Sequence, residues 1–492
     1  MIKVVTNEKC YYYQQIAYYW QQHGLAYYQT IMKFVPTLKF VRLFVCFAIF
    51  TAAVAAQDTA PVTPVTKGKT PIIIIPGLTG SNLINKRTGE EVWFKTGRSK
   101  DDDIRLPIST NLARNTDNLV SKDIIRGLKI VKFLPEIEIY ERLINALETR
   151  GGYTEGKWNA PDKGGDKDTF YVFPYDWRRD NVENARLLIR QIEALKRKLG
   201  RPNLKFNVIS HSMGGLISRY AAMYGNSDIP AGTPKPTWAG AKHLDKIFLL
   251  GTPNEGSISA INALLDGFSY VGGGLNLPFI QNISRFDVFT IPSMYQLLPH
   301  DGTLLVYDEN LKPIPIDIYD PAVWDKYGWS IWNDKAFRKK FSVIEQRNAR
   351  GFFQTALLRA KRFQAAIDAN STEKVPVSFY LMGSDCKETP NAFLLLQNQK
   401  NGRWMAQFKP DSFTRTNGEK VSAELLKPLL ISMGDGVVTK RSLAAETEIG
   451  LGKTAVLPIV SEIYQCEGHS KLVTNPQIQD KLFLLLNSVT NK

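Results

Sequence analysis

Ser212 stands in Ser210-His211-Ser212-Met213-Gly214, a G-x-S-x-G pattern whose first glycine is a serine. Such a serine becomes reactive when a sharp strand–turn–helix holds its hydroxyl above a sheet, with small residues two places before and after it. The hydroxyl needs a general base at neutral pH, and the chain has five histidines. His23 lies in the leader. His211 adjoins the serine, its ring expected to point elsewhere. His243 precedes a strand, at the wrong end of a sheet, and His300 falls in an expected cap. His469, in Cys466-Glu-Gly-His469-Ser, follows a strand and precedes the last helix, and is the expected base. The acid should follow a strand between serine and histidine in chain order. Gly434-Asp435-Gly436 meets this, with Asp385 and Glu467 as rivals. Asp435 is expected to orient the imidazole and stabilise the imidazolium. The chemistry expected of such a set is acyl transfer from an ester. Its oxyanion would be held by the backbone N–H of Met213, at a helix start, and by that of Leu78 in Pro76-Gly-Leu-Thr-Gly-Ser81, unless that glycine-containing run is an ordinary turn. No cofactor or metal is expected. Lys100-Asp-Asp-Asp103 reads as a solvated loop rather than a cation site.

The elements that would carry these groups alternate. Ile72–Ile75, four isoleucines after a proline, reads as a strand buried on both faces, the kind found in parallel sheets between helices. Glu138–Thr149 has helical spacing, Phe170–Phe173 is a short strand, and Asn184–Leu199 is an amphipathic helix. Phe206–Ser210 is a strand followed at once by a helix to about Tyr224, and Lys246–Leu250 is another buried strand. After Gly256 the text changes to Gly272-Gly-Gly274, aromatics (Trp324, Trp329, Trp332, Phe352, Phe353) and a basic helical stretch from about Trp332 to Ala369. The sheet is expected to resume at Val377–Leu381 and again near Ala455–Ile463, with a closing helix over Pro476–Leu486. Alternation of this kind means an α/β protein, a mainly parallel sheet with helices on both faces. The expected organisation is a leader over 1–56, a linker over 57–69, a hydrolase core over 70–256 and 371–492, and an inserted helical cap over 257–370.

Hydrophobic content of 44% and charged content of 22% exclude a disordered chain. The net charge is +15, and residues 1–57 hold five cations against one acid, leaving +11 on the rest. A basic surface favours anionic partners. With no nucleic-acid module in the chain, a lipid interface is the expected partner, although solvated surface accounts for most of these charges. Met32 opens a second possible start: Lys33, Lys39 and Arg42, an apolar run Leu43–Ala56, and a small-residue exit. This reads as a signal peptide and a secreted or periplasmic protein, the alternative being an N-terminal membrane anchor. Cys10 and Cys46 leave with that leader. Cys386 and Cys466 remain, either as a disulfide or as two separate thiols.

With these pieces in place, the chain resembles the lecithin:cholesterol acyltransferase family, which includes lysosomal phospholipases and phospholipid:diacylglycerol acyltransferases. The matching residues are Pro76–Leu83, Pro174-Tyr-Asp-Trp-Arg178, His211–Gly215, Gly251-Thr-Pro253, Met294–Pro299, Gly434–Gly436 and Gly468-His469. The resemblance implies an α/β-hydrolase fold, a Ser212–Asp435–His469 triad, an acyl-enzyme and a cap that binds lipid chains. Asp176 and Arg178 read as a structural pair. The disulfide-closed lid of the animal enzymes has no counterpart, since residues 84–110 lack cysteine. The expected function is serine-dependent lipid O-acyltransfer. The alternatives are a lipase or phospholipase acting on the same esters, an esterase for small soluble esters and, from another class, a non-catalytic lipid-binding protein.

Overall fold

The computed structural model describes residues 68–95, 104–128, 137–269, 282–300, 302–371, 373–449, 452–455 and 457–488. The expected leader, most of the linker, Lys100–Asp103 and Gly272–Gly274 lie outside these residues.

Seven strands form the central sheet: β1 (Ile72–Ile75), β2 (Thr154–Glu155), β3 (Thr169–Val172), β4 (Phe206–His211), β5 (Leu244–Leu250), β6 (Ser378–Gly383) and β7 (Ile459–Tyr464). Their spatial order is β7-β6-β5-β4-β1-β3-β2, and every pairing is parallel. Ile72, Ile73, Ile74 and Ile75 are buried throughout. Alternate strand side chains point to opposite faces, so full burial requires cover on both. The flanking helices include α1 (Glu141–Thr149), α2 (Asn181–Leu199), α3 (Met213–Tyr224), α4 (Ile258–Asp266), α5 (Val343–Ile367) and α6 (Pro476–Asn487). This is an α/β-hydrolase fold, its parallel sheet as the alternating pattern predicts and its hydrolase arrangement as the family resemblance implies.

Local chemistry sets the element ends. Helix α2 starts where the Asp180 carboxylate accepts from the Val182 N–H, three residues before the start read from periodicity. Its buried face runs Val182, Ala185, Leu188, Ile189, Ile192, Leu195, the spacing of one helical stripe. The basic helical stretch expected over about 332–369 holds two helices, Lys335–Lys340 and then α5. Phe341 and Ser342 are extended between them, and Ser342 with Glu345 forms a capping box that restarts the helix. The final sheet strand starts at Ile459 rather than near Ala455, which belongs to a hairpin of Glu446–Ile449 with Gly452–Ala455. Between β6 and β7 the chain also builds strands that periodicity did not signal. Ala392–Gln397 pairs with Leu305–Tyr307 from the segment read as cap and with Trp404–Gln407. Lys387–Pro390 pairs with Ile431–Gly434 as an antiparallel ribbon.

The sheet register places the connecting loops at one level. Ile75 lies opposite Ser210, His211 opposite Leu250, Leu250 opposite Met382 and Gly383 opposite Tyr464. The loops after β1, β4, β5, β6 and β7 therefore leave the same edge, at the carboxyl ends of the strands.

Candidate active site

Ser212 joins β4 to α3 with φ 53 and ψ −125. This backbone is strained for any residue with a side chain, and a tightly packed elbow is what holds it. The N–H of Ser212 donates to the Leu250 carbonyl (2.8 Å). Ser210 replaces the first glycine of the pattern without crowding, because its Oγ donates to the Phe248 carbonyl of β5 (2.9 Å).

The structure brings Ser212, His469 and Asp435 together. Ser212 Oγ lies 2.9 Å from His469 Nε2, and His469 Nδ1 lies 2.7 Å from Asp435 Oδ2. Asp435 is almost fully buried. Burial pushes its carboxyl up, but the adjacent His469, by charge and hydrogen bond, and the N–H groups of Val438 (2.7 Å) and Val437 (2.9 Å) outweigh this and hold it below the ordinary carboxylate range. An ionised carboxylate only accepts, so Nδ1 carries the proton and Nε2 is free to accept from the serine hydroxyl. The rivals are engaged elsewhere. Asp385 pairs with Lys440 (3.0 Å), and Glu467 accepts from the N–H of Gly468 (2.9 Å). Asp435 reaches the site on the antiparallel ribbon, not on a strand of the central sheet, and the N–H of Gly436 on its loop donates to Thr389 Oγ1 (2.8 Å).

Two glycines make this approach possible. A Cβ at Gly77 would lie 2.9 Å from the Ser212 Cβ, so the loop after β1 can touch the elbow only without one. Gly251 has φ +60, and a Cβ there would lie 3.2 Å from both Asp435 Oδ2 and His469 Cε1. Among the described residues the N–H groups of Leu78 and Met213 meet no acceptor. The latter is the first residue of α3, where helical N–H groups lack intrahelical partners.

Of the other described histidines, all but one lie apart from this chain of contacts. His243 lies against Lys196 and Glu193, and His300 against Asp368. The ring of His211 turns away from the serine, as expected, but its Nε2 meets the His469 carbonyl (3.1 Å) and its Nδ1 meets the Tyr140 hydroxyl (2.9 Å). Tyr140, the residue capping α1, was not legible as a site residue, because its contacts are 63 and 71 residues away in sequence. Cys386 and Cys466 form a disulfide between the loops leaving β6 and β7, three residues before His469. Among the described residues no cluster of side chains is suited to a metal ion, and no helix is long and apolar enough to cross a membrane.

Residues 139–357 match the family described as Lecithin:cholesterol acyltransferase. Lecithin-cholesterol acyltransferase-like 4 of Arabidopsis thaliana is 25% identical over 259 residues, which span 46% of this chain and 42% of that protein. The match thus covers less than half the length of that relative. Among solved structures, the Tle4-Tli4 complex gives a TM-score of 0.48 at 13% identity, covering 85% of this chain and 98% of that one. Bacillus licheniformis lipase BlEst2 in its mature form gives 0.33 at 14%, covering 87% and 96%. The segment matched to the lecithin:cholesterol acyltransferase family contains Tyr140, His211, Ser212, Met213 and Gly251, whereas Leu78, Asp435 and His469 lie outside it. It also contains Pro174–Arg178, whose side chains brace the loop after β1. The Tyr175 hydroxyl donates to the Pro76 carbonyl (2.8 Å), and Trp177 Nε1 donates to the Ser81 carbonyl (3.2 Å). Arg178, fully buried, forks onto Asp176 (2.9 and 2.8 Å) and Asp117 (2.7 and 2.9 Å). Both carboxylates hold its guanidinium in the charged form despite burial.

Proposed function

We propose that the protein is a serine-dependent lipid O-acyltransferase, with water as a competing acceptor at the same site. The single observation that carries the mechanism is the continuous Ser212–His469–Asp435 hydrogen-bonded chain. The match to the lecithin:cholesterol acyltransferase family supports a fatty-acyl ester such as a phospholipid as donor. His469 Nε2 takes the Ser212 proton as Oγ attacks the ester carbonyl carbon. The carbonyl oxygen becomes an oxyanion held by the N–H groups of Leu78 and Met213. The intermediate collapses, the bond to the departing alcohol breaks, and His469 returns the proton to that alcohol. An acceptor alcohol, or water, then gives its proton to His469 and attacks the acyl-Ser212 carbonyl, releasing the new ester or free fatty acid and restoring the hydroxyl. The segment 257–370 serves in this reading as the cap that receives acyl chains. The disulfide supports folding in an oxidising compartment, in keeping with export.

The test is incubation with acyl-labelled phospholipid, with and without a long-chain alcohol. A new labelled ester with alcohol, free fatty acid without it, and loss of both in Ser212→Ala are expected. Release of label by Ser212→Ala at the wild-type rate overturns the mechanism. Free fatty acid alone in the presence of alcohol makes the protein a lipase.

A further inference from the structure

We infer that Tyr140 and His211 form a positioning pair that holds the loop after β1 and the backbone of His469 in register with Ser212. The inference rests on the acyl-transfer reading above for its kinetic consequence, but not for its geometry.

Three hydrogen bonds run through buried side chains. The Gly77 N–H meets the Tyr140 oxygen (2.8 Å), that oxygen meets His211 Nδ1 (2.9 Å), and His211 Nε2 meets the His469 carbonyl (3.1 Å). Tyr140 is 1% and His211 7% exposed. The direction of the chain is fixed by chemistry. A carbonyl only accepts, so His211 Nε2 carries a hydrogen. Burial and the neighbouring His469 push the His211 imidazolium down to about 3, so the ring is neutral and Nδ1 is a bare acceptor. Tyr140 must therefore donate to Nδ1, which leaves its oxygen to accept from Gly77.

The pair connects three parts of the site that the sequence holds far apart. His211 is bonded to Ser212, Gly77 precedes Leu78, and His469 is the base. The other side of the His469 backbone is held too, since its N–H donates to the Asp435 carbonyl (2.9 Å). Breaking the chain strands buried donors and acceptors, and a segment must shift to satisfy them. A shift of a fraction of an ångström at oxyanion donors or base acts on the transition state more than on ester binding. The signature is a fall in kcat with little change in KM, which general loosening of the fold does not give.

The experiment uses the full chain and a soluble p-nitrophenyl ester, in Tyr140→Phe, His211→Leu, His211→Gln and the Tyr140→Phe/His211→Leu double variant. Tyr140→Phe is expected to lower kcat about tenfold and His211→Leu about thirtyfold, with KM within about twofold of wild type. His211→Gln, whose amide N–H reaches the same carbonyl, recovers most of the loss. The double variant loses less than the product of the two single losses, because the Tyr140–His211 bond is already broken in each single variant. Wild-type kcat in Tyr140→Phe, or losses that multiply in the double variant, overturn the proposal. Where His211→Leu fails to fold, Tyr140→Phe, which removes one oxygen atom, carries the test with His211→Gln. Nitrogen-15 NMR of the His211 ring provides a readout independent of turnover. A neutral ring protonated at Nε2 at pH 6 is expected, and an Nδ1–H tautomer overturns the chain even in a protein whose Ser212 proves dispensable.

Discussion

His469 Nδ1 lies 2.7 Å from Asp435 Oδ2, and His300 Nε2 lies 3.2 Å from Asp368 Oδ2. The two pairs share residue types and opposite fates. At Asp435, burial is outweighed by His469 and by two backbone N–H groups, and the carboxyl is held low. At Asp368, burial is only partly countered by His300 and Arg219, and the carboxyl is pushed up. Asp368 also caps the C-terminus of α5, where the helix dipole disfavours negative charge. The far nitrogen of His469 meets a serine hydroxyl, whereas among the described residues no hydroxyl hydrogen-bonds to the His300 ring. A histidine beside an aspartate is thus not enough. The acid needs a loop that turns its own N–H groups onto the carboxylate, and the far ring nitrogen needs a nucleophile.

Exchanging the acids for amides is the strongest way to break this contrast. Asp435→Asn is expected to lower kcat on the order of 10³–10⁴-fold, because an amide neither fixes the tautomer nor stabilises the imidazolium. Steady-state kinetics check it, and a loss below tenfold would erase the distinction between the pairs. Gly251→Ala sharpens the contrast by leaving both partners in place while crowding them. With a Cβ 3.2 Å from each, kcat should fall roughly 10- to 100-fold, against a small change in a circular-dichroism melt.

Removing the staple is next. Cys386→Ser/Cys466→Ser opens a bridge spanning 80 residues, and loop entropy puts the cost at about 4–5 kcal/mol. Urea unfolding measures it, and a midpoint equal to wild type would mean that the loops beside His469 are held without the bridge. Asp368→Asn should have the smallest effect, with kcat within about twofold of wild type. Its influence on stability has the opposite sign. A carboxyl raised in the folded state costs stability once pH exceeds the unfolded value of about 3.9, so Asp368→Asn should hold or raise the melting temperature at pH 7. Asp435, held low, adds stability that is present above about pH 3.9 and is lost as pH falls through its folded value. Asp435→Asn should therefore melt below wild type at pH 7, and the gap should narrow as pH falls below about 3.9.

The sequence makes the strand–elbow–helix at Ser212 and the parallel core legible, because both depend on local text: buried β-branched runs, a small residue beside the nucleophile, helical stripes. It also ranks His469 and Asp435, because acyl transfer names its residue types and chain order. The ribbon that delivers Asp435 is not legible. Lys387–Pro390 pairs with Ile431–Gly434 across more than forty residues, and neither run is apolar enough to announce a strand. The break at Phe341-Ser342 could have been read from Ser342 and Glu345, but the surrounding basic helical text hid it. Tyr140 emerges only when distant segments meet, whereas Asp176 and Arg178 are legible as a structural pair, with Asp117 added only by the fold.

Ser212 and His469 are separated by 257 positions. At roughly 5–20 residues per second, Ser212 leaves translation some 10–50 s before His469 has been made. For that interval, and in any chain cut short between the two, the Ser212 hydroxyl is without the His469 nitrogen it meets in the full chain. On the mechanism proposed above, a partly made chain therefore lacks the base that would activate its serine.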